Sequence, residues 1–431
     1  MKRLKAILKW MAIGTAVLIA IALLCNAYYV ATTGAKLASR LEDLRKAGEP
    51  VQLSDLARQP VPAEENAAVV LGRAVDGLKQ VNREIESLLP KYPTGACTLT
   101  EEEQEGLAKI FAANSQVLTQ IKQATDCKVY DWQIDYSQSH SIVISDMLDQ
   151  VGDQRAAVRI LRARTALLVN RGQQEEALEN VQQMLRLARL SNQESCLIQY
   201  LVGCAIRGIA MDAANQWLQK GSVSAEMHKA LEDELKQHKV LEDFAHGLKT
   251  ERAAVLSGID ELPGAKYWVS RGMVNEGKLR LLEMFERILA EGSLESGEKS
   301  GELGNDDSSF ISVYVILIDK LLAPAVESSS VAMKRNLASL RALRILNAIQ
   351  SQALPAEVVP SLAGLGLEPS EIVDPFNGKP MIVKKLPEGW LVYSVGANRI
   401  DDGGNVATDV DVGCSPLPPP PPQNVKSPFA P

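Results

Sequence analysis

The run from Trp10 to Ala31 constrains this chain more than any other feature. It is twenty-two residues without a side chain charged at neutral pH, built largely from Ala, Ile, Leu and Val. At about 1.5 Å per residue, a helix of that length covers the roughly 30 Å hydrocarbon core of a bilayer. Lys2, Arg3, Lys5 and Lys9 precede it and no charge follows until Lys36, so the positive-inside bias predicts a cytoplasmic N-terminus. Trp10 and the pair Tyr28, Tyr29 stand at its two ends, where amphipathic rings favour the headgroup layer. Everything after residue 35 is then expected across the membrane.

A cleaved signal peptide is the competing reading, with Cys25-Asn26-Ala27 as its small-residue site. A secretory core needs only about 7–15 apolar residues, and this run continues through Val30 and Ala31. The lipoprotein variant needs a small residue before the Cys, where Leu24 stands. A retained single-pass anchor is expected, with the lipid bilayer as the first partner.

The net charge is −7, and the four cations ahead of the run leave −11 for the remainder. Neutralising phosphates takes clustered Lys and Arg, so this balance argues against nucleic acid as a partner. Of six Cys, Cys25 lies in the span and five remain, with no CxxC. An exported compartment permits a Cys97–Cys127 bridge, and buried free thiols are the alternative. Cys196 and Cys204 are eight positions apart on one expected helix, about 12 Å of rise, too far to bond.

From Ala67 to Leu262 the apolar residues recur at helical spacing, as in Val70, Leu71, Ala74, Leu78 and Val81. Thr100 with Glu103 forms a capping box ahead of one helix. Arg171-Gly172 punctuates two amphipathic helices, and Gly172-x-x-Glu175-Glu176-Ala177-Leu178 resembles one tetratricopeptide-type hairpin. Composition changes after Pro355: Met381 to Val383 and Trp390 to Val395 flank Pro387-Glu388-Gly389, a hairpin signal.

The expected fold is mainly α, with an N-terminal transmembrane helix, an exported α-helical hairpin domain and a small C-terminal β-hairpin module. In residue numbers, a cytoplasmic basic segment (1–9) precedes the span (10–31) and the helical domain (36–291). An acidic Gly- and Ser-rich loop (292–309) leads to helices packing on that domain (310–354). A β-hairpin module (355–414) and a Pro-rich disordered tail (415–431) complete the chain. Phe310 to Leu322 is apolar but too short to span, and reads as a core helix.

The ordered motifs Asp374-Pro375-Phe376-x-Gly378-Lys379-Pro380, Tyr393-Ser394-Val395-Gly396 and Asp401-Asp402-Gly403-Gly404 resemble the C-terminal hairpin and loop of type II secretion major pseudopilins. They also resemble a C-terminal module of exported planctomycete proteins, and Leu161 to Leu218 with Glu251-Arg252 is similar to uncharacterised membrane-anchored members of that group. The resemblance implies a bacterial cell membrane with a periplasmic bulk. It departs at the N-terminus, where no pilin-type leader site or acid occurs in the span. Pseudopilin loops of this kind bind calcium, which implies Asp401, Asp402, Asp409 and Asp411 as ligands; the same residues also read as a turn with its acids in solvent.

Enzyme motifs are absent from the sequence: no HExxH, G-x-S-x-G, P-loop or G-x-G-x-x-G occurs. His140, His228, His238 and His246 read as surface helix histidines rather than zinc ligands. The expected function is an envelope scaffold or adaptor with protein partners, linked to a secretion-type assembly. The alternative is a membrane-tethered hydrolase whose catalytic acids come from separate helices.

Overall fold

In a computed structural model of the chain, the structure describes residues 2–89, 99–150, 152–193, 196–262, 264–293, 323–352, 360–406 and 410–416. Most of the acidic loop, the apolar run 310–322, Cys97, Asp409 and the Pro-rich tail lie outside the described residues.

The N-terminal apolar run belongs to a longer helix, α1 (Lys2–Lys46), of 45 residues. Its most apolar window is wholly unburied by the rest of the protein. Trp10 (73%), Leu18 (68%), Leu24 (70%) and Tyr28 (74%) are exposed. Each such side chain forfeits about 1.5–3 kcal/mol when left in water. That surface suits a membrane anchor.

The body is a helical array. Short helices come first: α2 (Ala67–Arg73), α3 (Val75–Leu88), α4 (Glu101–Ala113), α5 (Ser115–Asp126) and α6 (His140–Gln150). The α4 start is capped as the sequence predicts, with the Glu103 amide donating to Thr100 Oγ1 and the Thr100 amide to Glu103 Oε2. Longer helices follow: α7 (Asp153–Asn170), α8 (Gln174–Ser191) and α9 (Leu197–Lys220). Gly172, at φ +73°, makes the left-handed turn between α7 and α8 that a side chain would oppose. Trp217 of α9 is fully buried and donates through Nε1 to the Gln174 carbonyl at 3.1 Å, fixing α9 against the start of α8. Helix α9 is long and apolar enough to cross a membrane, but 67% of that window is buried in the body. It is a core helix.

Next come α10 (Ala225–Leu235), α11 (Val240–Glu261), α12 (Arg271–Ser293) and α13 (Ala323–Ser351). Helix α12 runs to Ser293, past the Gly292 where the loop is expected to begin, and α13 lies within the stretch 310–354 where helices are expected. Helix α12 packs along the C-terminal part of α1, and α13 packs on α9.

The C-terminal module rests on α13. Strands β1 (Ile382–Leu386) and β2 (Gly389–Ser394) form the hairpin, with Ile382 opposite Tyr393 and Leu386 opposite Gly389. A third strand, β3 (Val412–Cys414), not evident from its three residues, pairs antiparallel with β2. The order is β1-β2-β3, an open sheet rather than a barrel. Asp374 is buried and binds the hairpin through its side chain, accepting from Ser394 Oγ at 2.8 Å and the Val395 amide at 2.9 Å. The Asp-Pro-Phe motif is thus a hydrogen-bonded staple under the sheet.

Candidate functional site

The acidic loop after β2 holds the site that the sequence singles out. Two glycines there, Gly403 and Gly404, take positive φ of +82° and +91°, so the loop's amides turn inward. Asp401 Oδ1 accepts from the Tyr393 hydroxyl at 2.8 Å and the Gly403 amide at 2.9 Å. These donors hold the Asp401 carboxyl below its usual range, while burial and then the Asp401 contact push Tyr393 up, so it stays a donor. Asp411 is fully buried, and its Oδ2 accepts the Gly404 and Asn405 amides, each at 2.8 Å. Asp402 is exposed and takes the Asn398 amide at 2.8 Å.

Asp401 and Asp411 therefore bind successive amides of one turn. Among the described residues no three acidic, His or Cys side chains gather as a metal-binding group. One oxygen stands apart: Asp411 Oδ1 is buried with no hydrogen-bond partner among the described residues. It fits a single carboxylate ligand to a hard cation, which would take its remaining oxygens from carbonyls and water.

A second site lies where the helical body meets the C-terminal module. A cavity of about 440 Å³ opens between α10, α13 and the 3₁₀ turns at 362–372. Arg344 of α13 crosses it, its side chain 8% exposed, donating to Glu232 Oε1 at 2.7 Å and to Glu371. Beside it, His228 is 6% exposed, with Nδ1 at 2.8 Å from Asn347 Oδ1. Asn347 Nδ2 donates to the His228 carbonyl at 3.0 Å, which makes Oδ1 the acceptor and places the ring proton on Nδ1. Lys229, Lys236 and Glu368 complete a wall of mixed charge.

A buried polar knot joins five elements. Arg207 of α9, 0% exposed, donates from Nη2 to Asp243 Oδ2 of α11 at 2.8 Å and from Nη1 to Asn336 Oδ1 of α13 at 2.9 Å. Its Nε donates to His238 Nδ1 at 3.0 Å, in the turn between α10 and α11. Asn192, after α8, donates to the same Asp243 oxygen at 2.7 Å. Burial, with the Arg207 and Arg189 charges, lowers the His238 imidazole well below its ordinary value, so the ring is neutral.

The histidine expectation is therefore corrected: His228 and His238 are core residues joining helices, not surface ones. The sequence did carry a signal for this knot, an isolated Arg207 inside the apolar run from Leu201 to Met211. Asn336 and Asn347 similarly interrupt an apolar face eleven residues apart, three helical turns.

Comparison of the chain with protein-family models, with curated proteins and with solved structures finds no match.

Proposed function

We propose that the protein is a membrane-anchored, extracytoplasmic scaffold or adaptor of the cell envelope. The observation that supports this is the continuity of α1: one helix leaves the apolar run and packs its last turns on α12 of the body. Anchor and body are then one rigid unit, holding the β module at a set distance from the bilayer. The basic cluster Lys2, Arg3, Lys5 and Lys9 supports a cytoplasmic N-terminus. Partner proteins dock at the mixed-charge cavity between body and module, where exposed Lys229 and Lys236 meet Glu368.

The hydrolase reading has less support. Arg344 ties two of the cavity's three carboxylates into ion pairs, the arrangement of a structural brace rather than of an acid–base pair. Calcium in the 401–411 loop is part of the proposal, with Asp411 Oδ1 as its inner ligand and exposed Asp402 beside the turn.

Photocrosslinkers at positions 229 and 351 in intact membranes test the scaffold. The same discrete adduct from both positions, absent when the label sits at exposed Lys109, is the expected result. Equal, diffuse labelling at all three positions would remove the docking site.

A further inference from the structure

Helix α12 lies along α1 in the same direction: Gly272 meets Tyr29, Asn275 donates to Thr33 Oγ1 at 3.3 Å, and Glu286 pairs with Arg40. The N-terminal end of α12 therefore points back along α1 toward the apolar run. Tyr29 occupies the space that any side chain on Gly272 would need, which brings the two backbones close there. The segment just before α12, residues 264–270, projects beyond this contact.

That segment is a string of tight turns. The Tyr267 amide donates to Gly264 O at 3.1 Å, Ser270 to Tyr267 O at 3.2 Å and Arg271 to Trp268 O at 3.3 Å. Ala265, 3% exposed, pins it to the body. The turns push three consecutive apolar side chains outward: Tyr267 is 72% exposed, Trp268 45% and Val269 64%, with Met273 at 40% one turn on. Asn26 of α1 donates to the Trp268 carbonyl at 3.4 Å. Asn26 is five residues short of the end of the uncharged run, about 7 Å of helix rise.

The geometry points to a second membrane contact. Residues 266–273 form a foot that sits in the interfacial layer of the same bilayer leaflet through which α1 emerges. The occupant follows from position and chemistry. The exposed aromatics are level with a part of α1 that is itself apolar and unburied, with Tyr28 (74% exposed) nearby in the sequence of that helix. Trp and Tyr rings favour that depth, and exposed Lys266 and Arg271 flank them, suited to lipid phosphates. With α1 as one contact and the foot as a second, the body is held against tilting about the anchor. The inference rests on α1 spanning the bilayer.

The test uses the full chain in vesicles of phosphatidylcholine and phosphatidylglycerol, with bromine near the headgroup end of the acyl chains as quencher. Trp132, Trp217 and Trp390 are buried and give a common background. The Trp268 signal is the difference between Trp10→Phe and the Trp10→Phe, Trp268→Phe pair; the Trp10 signal is the difference between the unsubstituted chain and Trp10→Phe. An about twofold quenching of Trp268 is expected for an indole at the interface. Trp10 quenched with Trp268 unchanged overturns the foot and leaves the anchor standing. Neither quenched overturns the anchor reading and the foot with it. A crosslinked dimer through position 269, with Trp268 unquenched, would assign the patch to a second copy instead and also overturns it. Equal unfolding midpoints for the variants establish that the substitutions, at an exposed side chain, leave the fold intact.

Discussion

The side-chain amide of Gln219 grips the backbone of Trp390 on both sides, Nε2 donating to the Trp390 carbonyl at 2.7 Å and Oε1 accepting its amide at 3.3 Å. Gln219 sits in the last turn of α9, and Trp390 is at the start of β2. A helix side chain thus takes the place of a neighbouring strand for one residue. Asn215, one turn earlier, donates to the Ser415 carbonyl beyond β3 at 2.9 Å. Together they lock the sheet to the helical body.

Gln219→Ala removes two hydrogen bonds from a part-buried backbone, at a cost of about 1–3 kcal/mol. Hydrogen exchange at the Trp390 amide should accelerate in proportion, with α7 and α8 unaffected. Uniform acceleration throughout the chain would show that sheet and body unfold only as one unit.

The Arg207–Asp243 pair predicts an asymmetric result. Asp243→Ala leaves a guanidinium with no solvent exposure and no countercharge, costing about 3–5 kcal/mol. The double change Arg207→Met with Asp243→Leu should recover most of that loss in urea unfolding. A double variant as unstable as the single one would mean that the knot's hydrogen bonds, and not its charges, carry the energy.

His238 makes stability depend on pH. Its imidazole is held neutral in the folded chain, first by burial and then by Arg207 and Arg189, whereas in the unfolded chain it titrates near about 6.5. The unfolded state therefore binds the extra proton below that pH. Stability is full above the unfolded value and falls as pH drops below it, at up to about 1.4 kcal/mol per pH unit. His238→Gln keeps an acceptor for Arg207 without titrating, so its denaturation profile between pH 7 and 5 should be flatter by that slope. Parallel profiles for the two proteins would refute the assignment.

Calorimetry on the detergent-solubilised full chain addresses calcium in the acidic loop. Binding is expected, lost with Asp411→Asn, which removes the negative charge of the carboxylate with the unpartnered oxygen, and weakened with Asp401→Ala combined with Asp402→Ala. An absence of heat above dilution in the unsubstituted protein retires the ion.

Local pattern made much of this architecture legible. The Trp10–Ala31 run specifies an apolar helix because it is built largely of aliphatic residues and carries no charge, and the Thr100–Glu103 box specifies a helix start because both partners lie within one turn. The Arg171-Gly172 turn is local in the same sense, since only its own backbone sets φ. The β1–β2 hairpin is also local, its two strands separated by Pro387-Glu388. By contrast β3 gains its identity only from β2, since three residues carry no usable period.

The acidic loop shows the limit within the candidate site. Its residue types were visible in the sequence, but which oxygens go to amides depends on how the chain returns from Asp401 to Asp411. The buried site residues were hidden for a stronger reason. Arg207, His238, Asp243 and Asn336 span well over a hundred positions, and each alone reads as an ordinary polar residue on a helix. Sequence by itself determined the apolar N-terminal helix, the helical body and the hairpin, because those depend on periodicity and solvent preference along a few turns. Only tertiary structure decided which polar groups met in the core, how α9 clasped the sheet and where Tyr267 to Val269 emerged beside α1, because partners for buried hydrogen bonds are supplied by chain packing across long separations.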